Sequence, residues 1–152
     1  MSRLEGKVAL ITGAARGQGR SHAVGLAKEG ADIIAIDIAD QISSVPYPMA
    51  TVDDLKETAR LVEALDRRVV VRQADVRNLA QMQAAVADGL AELGRIDIVC
   101  ANAGIISANQ VLDLTEDQWR DMIDTNLTGV WHTVKAAVPN MVERGEGGSV
   151  IF

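Results

Sequence analysis

The sequence has little cysteine, few aromatic residues and no long hydrophobic run, and each shortage excludes a class of protein. Cys100 is the single cysteine among 152 residues, so an internal disulfide is impossible and a disulfide-stapled scaffold is excluded. A reduced, cytoplasmic location is therefore expected. The apolar run at residues 8–11 ends at Thr12 and Gly13, which makes it too short for a signal peptide or a membrane span.

Positive charge is also in short supply. Lys and Arg number 15 against 21 Asp and Glu, which gives a net charge of −6. Because like charges repel, this balance disfavours nucleic-acid backbones and anionic lipid surfaces as partners. The hydrophobic share of 48% and the charged share of 24% are ordinary for a globular protein, and the length predicts one domain.

Two kinds of hydrophobic pattern alternate along the chain. Short aliphatic runs without strict alternation are typical of parallel strands buried on both faces, and they occur at residues 7–12, 32–37, 69–73, 96–101 and 149–152. Helical patterns lie between them, at residues 17–29, 52–65 and 79–94, and from Thr115 and Gln118 past Val130, with Pro139 expected to kink the end. The alternation predicts an α/β fold with a doubly wound parallel sheet and ligands at the carboxyl ends of its strands.

Two features depart from this regular alternation. Residues 38–50 form a long strand-to-helix connection, and such loops are usually functional or disordered. We expect this one either to cover a bound ligand or to be a loose surface insertion. The sequence also stops within its last apolar run, which would leave an uncovered edge strand. Residues 1–152 are therefore interpreted as the N-terminal part of a longer single-domain protein, truncated after the fifth strand.

A glycine-rich run joins the first strand to the first helix. Glycines there allow a tight turn and a close backbone approach, while free amides at the helix N-terminus bind a pyrophosphate. The placement between a buried strand and a helix favours a Rossmann-type nucleotide site over a simple turn. The candidate cofactor-binding residues in the run are Thr12, Gly13, Arg16, Gly17, Gln18 and Gly19.

The second strand ends in Asp37, close to the distance of about 20 residues at which an acid holds the adenosine ribose. A carboxylate there accepts hydrogen bonds from both ribose hydroxyls and repels a 2′-phosphate, which favours NAD over NADP. Arg16 is the opposing signal, since a guanidinium could bind that phosphate. The following residue, Ile38, is a candidate contact that carries no charge.

The order of these motifs resembles the short-chain dehydrogenase/reductase family over the entire chain. The run from Thr12 to Gly19 and Asp37 are followed by Asp75-Val76, by Asn102-Ala103-Gly104 and by Asn126 in the long helix. The resemblance implies that Asp75 and Val76 contact the adenine, that Asn102, Ala103 and Gly104 line the cofactor, and that Asn126 belongs to the catalytic tetrad. It also implies an NAD-dependent oxidoreductase acting on a secondary alcohol or ketone, and a homo-oligomer, commonly a tetramer.

A narrower resemblance is to the carveol-dehydrogenase type, the mycofactocin-coupled subfamily. It is carried by residues 45–49 and by residues 99–105. It implies a carveol-like cyclic or terpenoid alcohol as substrate and a nicotinamide cofactor that stays bound rather than exchanging.

The family's catalytic Ser and its Tyr-x-x-x-Lys pair are missing from these residues. The only tyrosine, Tyr47, is followed four residues later by Thr51, so it is not the catalytic base. One alternative is therefore a catalytically silent dinucleotide-binding module. A sugar-nucleotide epimerase is a further alternative, although Asn102-Ala103-Gly104 speaks against it.

The remaining candidates favour structural roles. His22 and His132 lie on different predicted helices with no ligands in metal spacing, so no metal site is predicted. Cys100 is expected to be a buried, inert thiol. Trp119 and Trp131 flank Asn126 and are expected either in the core or at a subunit interface.

Overall fold

A computed structural model describes residues 2–152. The strands are β1 (Val8–Thr12), β2 (Asp32–Asp37), β3 (Val69–Gln73), β4 (Ile98–Cys100) and β5 (Ser149–Ile151). The helices are α1 (Gly17–Lys28), α2 (Val52–Glu63), α3 (Leu79–Leu93), α4 (Glu116–Ile123) and α5 (Gly129–Arg144), with a π-helical segment, Asp124–Thr128, between the last two. All strand pairs are parallel, in the order β3-β2-β1-β4-β5. The predicted doubly wound α/β fold is confirmed.

The two faces of the sheet bury different sets of residues because side chains alternate along each strand. Val8, Leu10, Ile34 and Ile36 pack with α3 and α5 in one hydrophobic cluster. Their neighbours in sequence, such as Ile11 and Ile33, pack with α1 and α2 on the other face. The central strands are thus covered on both sides, as their unbroken aliphatic runs predict.

Capping explains where the helices begin. Thr51 and Asp54 form a reciprocal capping box at the start of α2, and the Asn78 side chain accepts from Gln81 N–H at the start of α3. These interactions satisfy amides that have no partner within the helix.

The fourth helical stretch differs from its prediction. It is not one helix from Thr115 past Val130, because the π-helical segment separates α4 from α5, and α5 continues through Pro139 to Arg144. The predicted strand at 96–101 is also shorter, since Ile96 and Asp97 precede β4 as buried irregular backbone. In β5, Val150 and Ile151 are exposed at the sheet edge.

Trp119 and Trp131 are 58% and 55% exposed, so of the two placements expected for them the core is excluded. Cys100 is buried as expected, and burial raises the pKa of its thiol. Within residues 2–152, no helix combines the length and the apolar composition needed to cross a bilayer. Nor does any group of His, Cys, Asp and Glu side chains in that part of the chain have an arrangement suited to a metal ion.

Asp97 joins the amino ends of the central strands to α5. Its carboxylate accepts hydrogen bonds from Val8 N–H at 3.0 Å, from Arg95 Nη2 at 2.6 Å and from Arg144 Nη2 at 2.9 Å. Burial opposes the ionised form, but the hydrogen bonds from Arg95 and Val8 outweigh it and hold the pKa of Asp97 below its ordinary value.

We expect Asp97→Asn to lower the free energy of unfolding by about 2 kcal/mol at neutral pH, because charge-assisted hydrogen bonds are lost. A depressed pKa stabilises the fold above the ordinary Asp value of about 3.9 and stops doing so as the pH falls through the folded-state value. The variant and the wild type should therefore converge in acid. Urea unfolding at several pH values measures this, with the exposed Asp53→Asn as control, and a constant difference down to acid pH would contradict it.

Candidate functional site

A cleft of about 280 Å³ opens at the carboxyl ends of the strands, where the chain passes from one side of β1 to the other. This switch point is where doubly wound sheets bind ligands. The structure brings most of the predicted site residues together in its wall: Gly13, Arg16, Gly17, Gln18, Gly19, Asp37, Ile38, Asp75, Val76, Asn102, Ala103 and Gly104. The remaining two, Thr12 and Asn126, hold residues of the wall in place.

The glycine-rich turn depends on close backbone contacts. A Cβ atom at Gly19 would lie 2.0 Å from the carbonyl oxygen of Gly13, and one at Gly13 would lie 2.9 Å from Ala103 Cα. Gly13 also has a φ of +66°, in the left-handed region. Any side chain at these two positions would push the turn away from the segment that follows β4.

Thr12 and Asn102 join the two sides of the cleft. The Asn102 side-chain amide donates to Thr12 O at 2.9 Å, and Ala103 N–H donates to the Thr12 hydroxyl at 3.1 Å. Thr12 is buried, and both bonds are partly buried at the base of the cleft. The ends of β1 and β4 are thereby fixed relative to each other.

Two side chains that the sequence analysis missed, Arg20 on α1 and Thr58 on α2, join the glycine-rich turn to α2. Arg20 donates to the carbonyl oxygen of Asp54 at 2.7 Å and also to that of Ala15. Thr58 donates to Ala14 O at 2.9 Å. The contacts from Arg20 to Asp54 and from Thr58 to Ala14 join residues 34 and 44 positions apart, and no local pattern in the sequence indicates them.

Asp37 is held rigidly at the end of β2. It is 7% exposed, and its two carboxylate oxygens accept from Ala15 N–H and Ala39 N–H, both at 2.9 Å. Each oxygen of an ionised carboxylate has about two acceptor sites, so capacity remains for a further donor on each. The geometry presents a fixed anionic acceptor to the cleft.

Arg16 lies at the mouth of the cleft but is engaged elsewhere. Its guanidinium donates to Pro48 O at 2.9 Å, which ties the glycine-rich turn to the connection at residues 38–50. The guanidinium therefore acts as a bridge between two loops.

The connection at residues 38–50 packs as an ordered cover. Ile42 and Val45 form a small buried cluster with Ile105, beyond β4. The Tyr47 hydroxyl accepts from Ile106 N–H at 3.2 Å. Ile42, Tyr47, Met49 and Ala50 also line the cleft.

A chain of polar contacts connects residues 38–50 to α4 and to the segment between β3 and α3. The Ser44 hydroxyl donates to Asp121, whose other carboxylate oxygen accepts from Arg77. Arg77 in turn donates to both carboxylate oxygens of Asp75, at distances from 2.7 to 3.1 Å. The hydrogen bonds that Arg77 donates to Asp75 raise the pKa of the Arg77 guanidinium above its ordinary value, although burial opposes this. The network fixes Asp75 at the cleft edge.

Asn126 lies in the π-helical segment and bonds the backbone of Ile105, in the segment that follows β4. Its side-chain oxygen accepts from Ile105 N–H, and its side-chain amide donates to Ile105 O, both at 2.9 Å. Both ends of the side-chain amide thus bond the backbone of one residue, Ile105, next to Gly104. Thr125, its neighbour, also lines the cleft and was not among the predicted residues.

Comparison with known proteins gives one consistent result. A family model described as short chain dehydrogenase matches residues 7–152. The (-)-trans-carveol dehydrogenase of Rhodococcus erythropolis is 53% identical over 153 residues, covering 100% of this chain and 55% of that enzyme. An uncharacterised oxidoreductase of Mycobacterium tuberculosis is 57% identical over 149 residues, covering 98% of this chain and 53% of that protein.

Among solved structures, the carveol dehydrogenase of Mycobacterium avium in complex with NAD matches with a TM-score of 0.95 and 56% identity. The match covers 99% of this chain and 55% of that one. The chain thus spans about half the length of the curated relatives it matches. These matches confirm the family resemblance and the narrower resemblance to the carveol-dehydrogenase type.

We expect Gly19→Ala and Gly25→Ala, both on α1, to have opposite effects on stability. The Gly19 methyl would overlap the Gly13 carbonyl, so the variant should lose about 1–3 kcal/mol. A Cβ at Gly25 meets nothing within 4 Å, and Ala is the better helix former by about 0.5–1 kcal/mol. Thermal unfolding of the two variants beside the wild type measures both effects, and a stabilised Gly19→Ala would contradict the close contact.

Proposed function

The chain belongs to the short chain dehydrogenase family, and from that premise we propose that it binds NAD and supplies the cofactor-binding half of an oxidoreductase for secondary alcohols and ketones. The observation that carries the proposal is the Asp37 carboxylate, fixed beside the glycine-rich turn and facing the cleft. NAD complexes of similar structures support it.

The order of the strands determines how the cofactor lies. The N-terminus of α1 at Gly17, where a Cβ would meet no atom within 4 Å, would hold the pyrophosphate. Asp37 at the end of β2 would hold the adenosine ribose. Asp75 and Val76 after β3 would contact the adenine, and Asn102, Ala103 and Gly104 after β4 would contact the nicotinamide end.

Asp37 selects NAD because its carboxylate accepts from the 2′ and 3′ hydroxyls and repels a 2′-phosphate. Arg16, the opposing signal, is bonded to Pro48 O, and Ile38 is uncharged. A 2′-phosphate would therefore face the buried Asp37 carboxylate, while the Arg16 guanidinium is turned to Pro48 by one of its N–H groups.

The bound cofactor supplies a hydride acceptor or donor at the nicotinamide ring. The residues after β4 would hold that ring, and Asn126 keeps Ile105 and Gly104, two of these residues, in position. We assign Asn126 to the catalytic group on the strength of the family pattern. Its side chain is occupied by Ile105, so any part in proton transfer would use its backbone or a bound water.

We propose that the acid-base residues follow Phe152 in a longer single-domain protein, consistent with relatives that this chain matches over about half of their length. A carveol-like cyclic or terpenoid alcohol is the proposed substrate, supported by the likeness to (-)-trans-carveol dehydrogenase. The matches lend no support to a catalytically silent module. The cytoplasm is the proposed location.

We also propose a homo-oligomer built through α4 and α5. Trp119, Ile123, Leu127 and Trp131 recur every four residues and are 58%, 37%, 65% and 55% exposed. Large apolar side chains in one exposed stripe are typical of a protein interface. A tetramer agrees with the family pattern.

We expect the purified protein, at its natural length, to reduce NAD in preference to NADP when a secondary alcohol such as carveol is supplied. Asp37→Ala should reduce the preference for NAD over NADP. The variant loses two charge-assisted hydrogen bonds from the adenosine ribose hydroxyls, of about 1.5–3 kcal/mol each. Asp37→Asn is the matched variant, because it keeps one acceptor oxygen and removes the charge. Absorbance of the reduced nicotinamide and titration of both cofactors measure these effects. Tighter binding of NADP by the wild type would contradict the assignment.

We expect residues 38–50 to slow the release of NAD. Replacing residues 39–50 by a tight turn should accelerate release, and Ser44→Ala should accelerate it about threefold to tenfold by removing the bond to Asp121. The neighbouring Ser43→Ala, at an exposed serine, is the matched control and should change little. Stopped-flow dissociation measures all three rates, and an unchanged rate in the shortened variant would mean that the segment is a surface insertion.

A further inference from the structure

His132 on α5 makes a buried contact with the segment between β3 and α3. The ring is 9% exposed, and its Nδ1 lies 2.9 Å from the carbonyl oxygen of Val76. A carbonyl oxygen only accepts hydrogen bonds, so Nδ1 carries the hydrogen and donates it. His132 was expected to be an ordinary helix residue, but this contact joins it to a residue of the cleft wall.

Helix α5 holds Val76 by its side chain as well. A Cβ at Gly129, one turn before His132, would lie 2.5 Å from Val76 Cγ2, so the bare helix backbone and the valine side chain are in close contact. Val76 is 7% exposed and lines the cleft directly after Asp75. Both its side chain and its carbonyl are therefore held by α5.

The same segment is anchored along the chain by other contacts. Asp75 N–H donates to the Gln81 side chain at 2.9 Å, and the Asp75 carboxylate is held by Arg77. The bond from His132 adds a tie across to α5, 56 residues away in sequence. Without this bond, the buried Val76 carbonyl would have no hydrogen-bond donor from α5. Because an unpaired buried acceptor is costly, the Val76 peptide would reorient.

We propose that His132 is a positioning residue for the adenine end of the cofactor site. It fixes the Val76 peptide and, through it, the orientation of Val76 and Asp75 toward a bound adenine. This inference rests on the proposed function, because it assumes that NAD occupies the cleft with its adenine at β3. It extends that function by assigning adenine recognition in part to a residue that does not line the cleft.

The test compares two ligand fragments in the protein of natural length. ADP-ribose carries the adenine, and nicotinamide mononucleotide lacks it. His132→Leu removes the donor and should weaken ADP-ribose binding about tenfold while leaving the mononucleotide within about twofold. His132→Asn places an amide donor near the position of Nδ1 and should restore most of the affinity. Thr133→Val, at a buried α5 position whose hydroxyl bonds Gly129 O within the helix, is the matched control and should bind both fragments as the wild type does.

Calorimetric titration measures these affinities, and equal weakening of both fragments, or no weakening, in His132→Leu would overturn the proposal. If the leucine variant does not fold, the ring nitrogens of His132 in the wild type decide the matter by ¹⁵N NMR. A protonated Nδ1 is expected, and an unprotonated Nδ1 would overturn the proposal. Failure of the wild type to bind either NAD or ADP-ribose would instead overturn the proposed function.

Discussion

The geometry of the cleft depends on the close approach of the β1–α1 turn to the segment that follows β4. Gly13 and Gly19 allow this approach, because a Cβ atom at either position would overlap backbone atoms. Asn102 and the Thr12 hydroxyl then hold the two segments together through partly buried hydrogen bonds. With the two strand ends fixed, the N-terminus of α1 and the Asp37 carboxylate face the same space, which is the condition for binding a nucleotide diphosphate.

Residues outside the cleft hold the residues of its wall in place. Arg20 on α1, bonded to Asp54 of α2, and Thr58 on α2 support the glycine-rich turn, and the connection at residues 38–50 covers the cleft. The polar chain through Ser44, Asp121 and Arg77 joins that cover to Asp75. The side chains that meet the ligand are thus held by a second set of residues, as precise binding sites require.

Sequence patterns were sufficient for the features that local chemistry determines. Unbroken aliphatic runs identify β1 and β2, the Thr51 and Asn78 caps mark helix starts, and the spacing from Gly19 to Asp37 places the acid at the end of β2. The support contacts were not predictable in this way. The bonds from Ser44 to Asp121 and from His132 to Val76 join residues 77 and 56 positions apart, and no periodicity records such pairs. The π-helical segment also escaped prediction, since the amphipathic spacing continues through it and its change in hydrogen bonding has no signal in residue type.

The central claim is that this cleft binds NAD with its adenosine end at β2 and β3. A crystal structure of the protein of natural length with NAD tests it most directly. We predict that both hydroxyls of the adenosine ribose lie within hydrogen-bond distance of the Asp37 carboxylate and that the adenine lies beside Asp75 and Val76. A cofactor with its adenosine ribose away from Asp37, or with its adenine on the β4 side of the sheet, would contradict it.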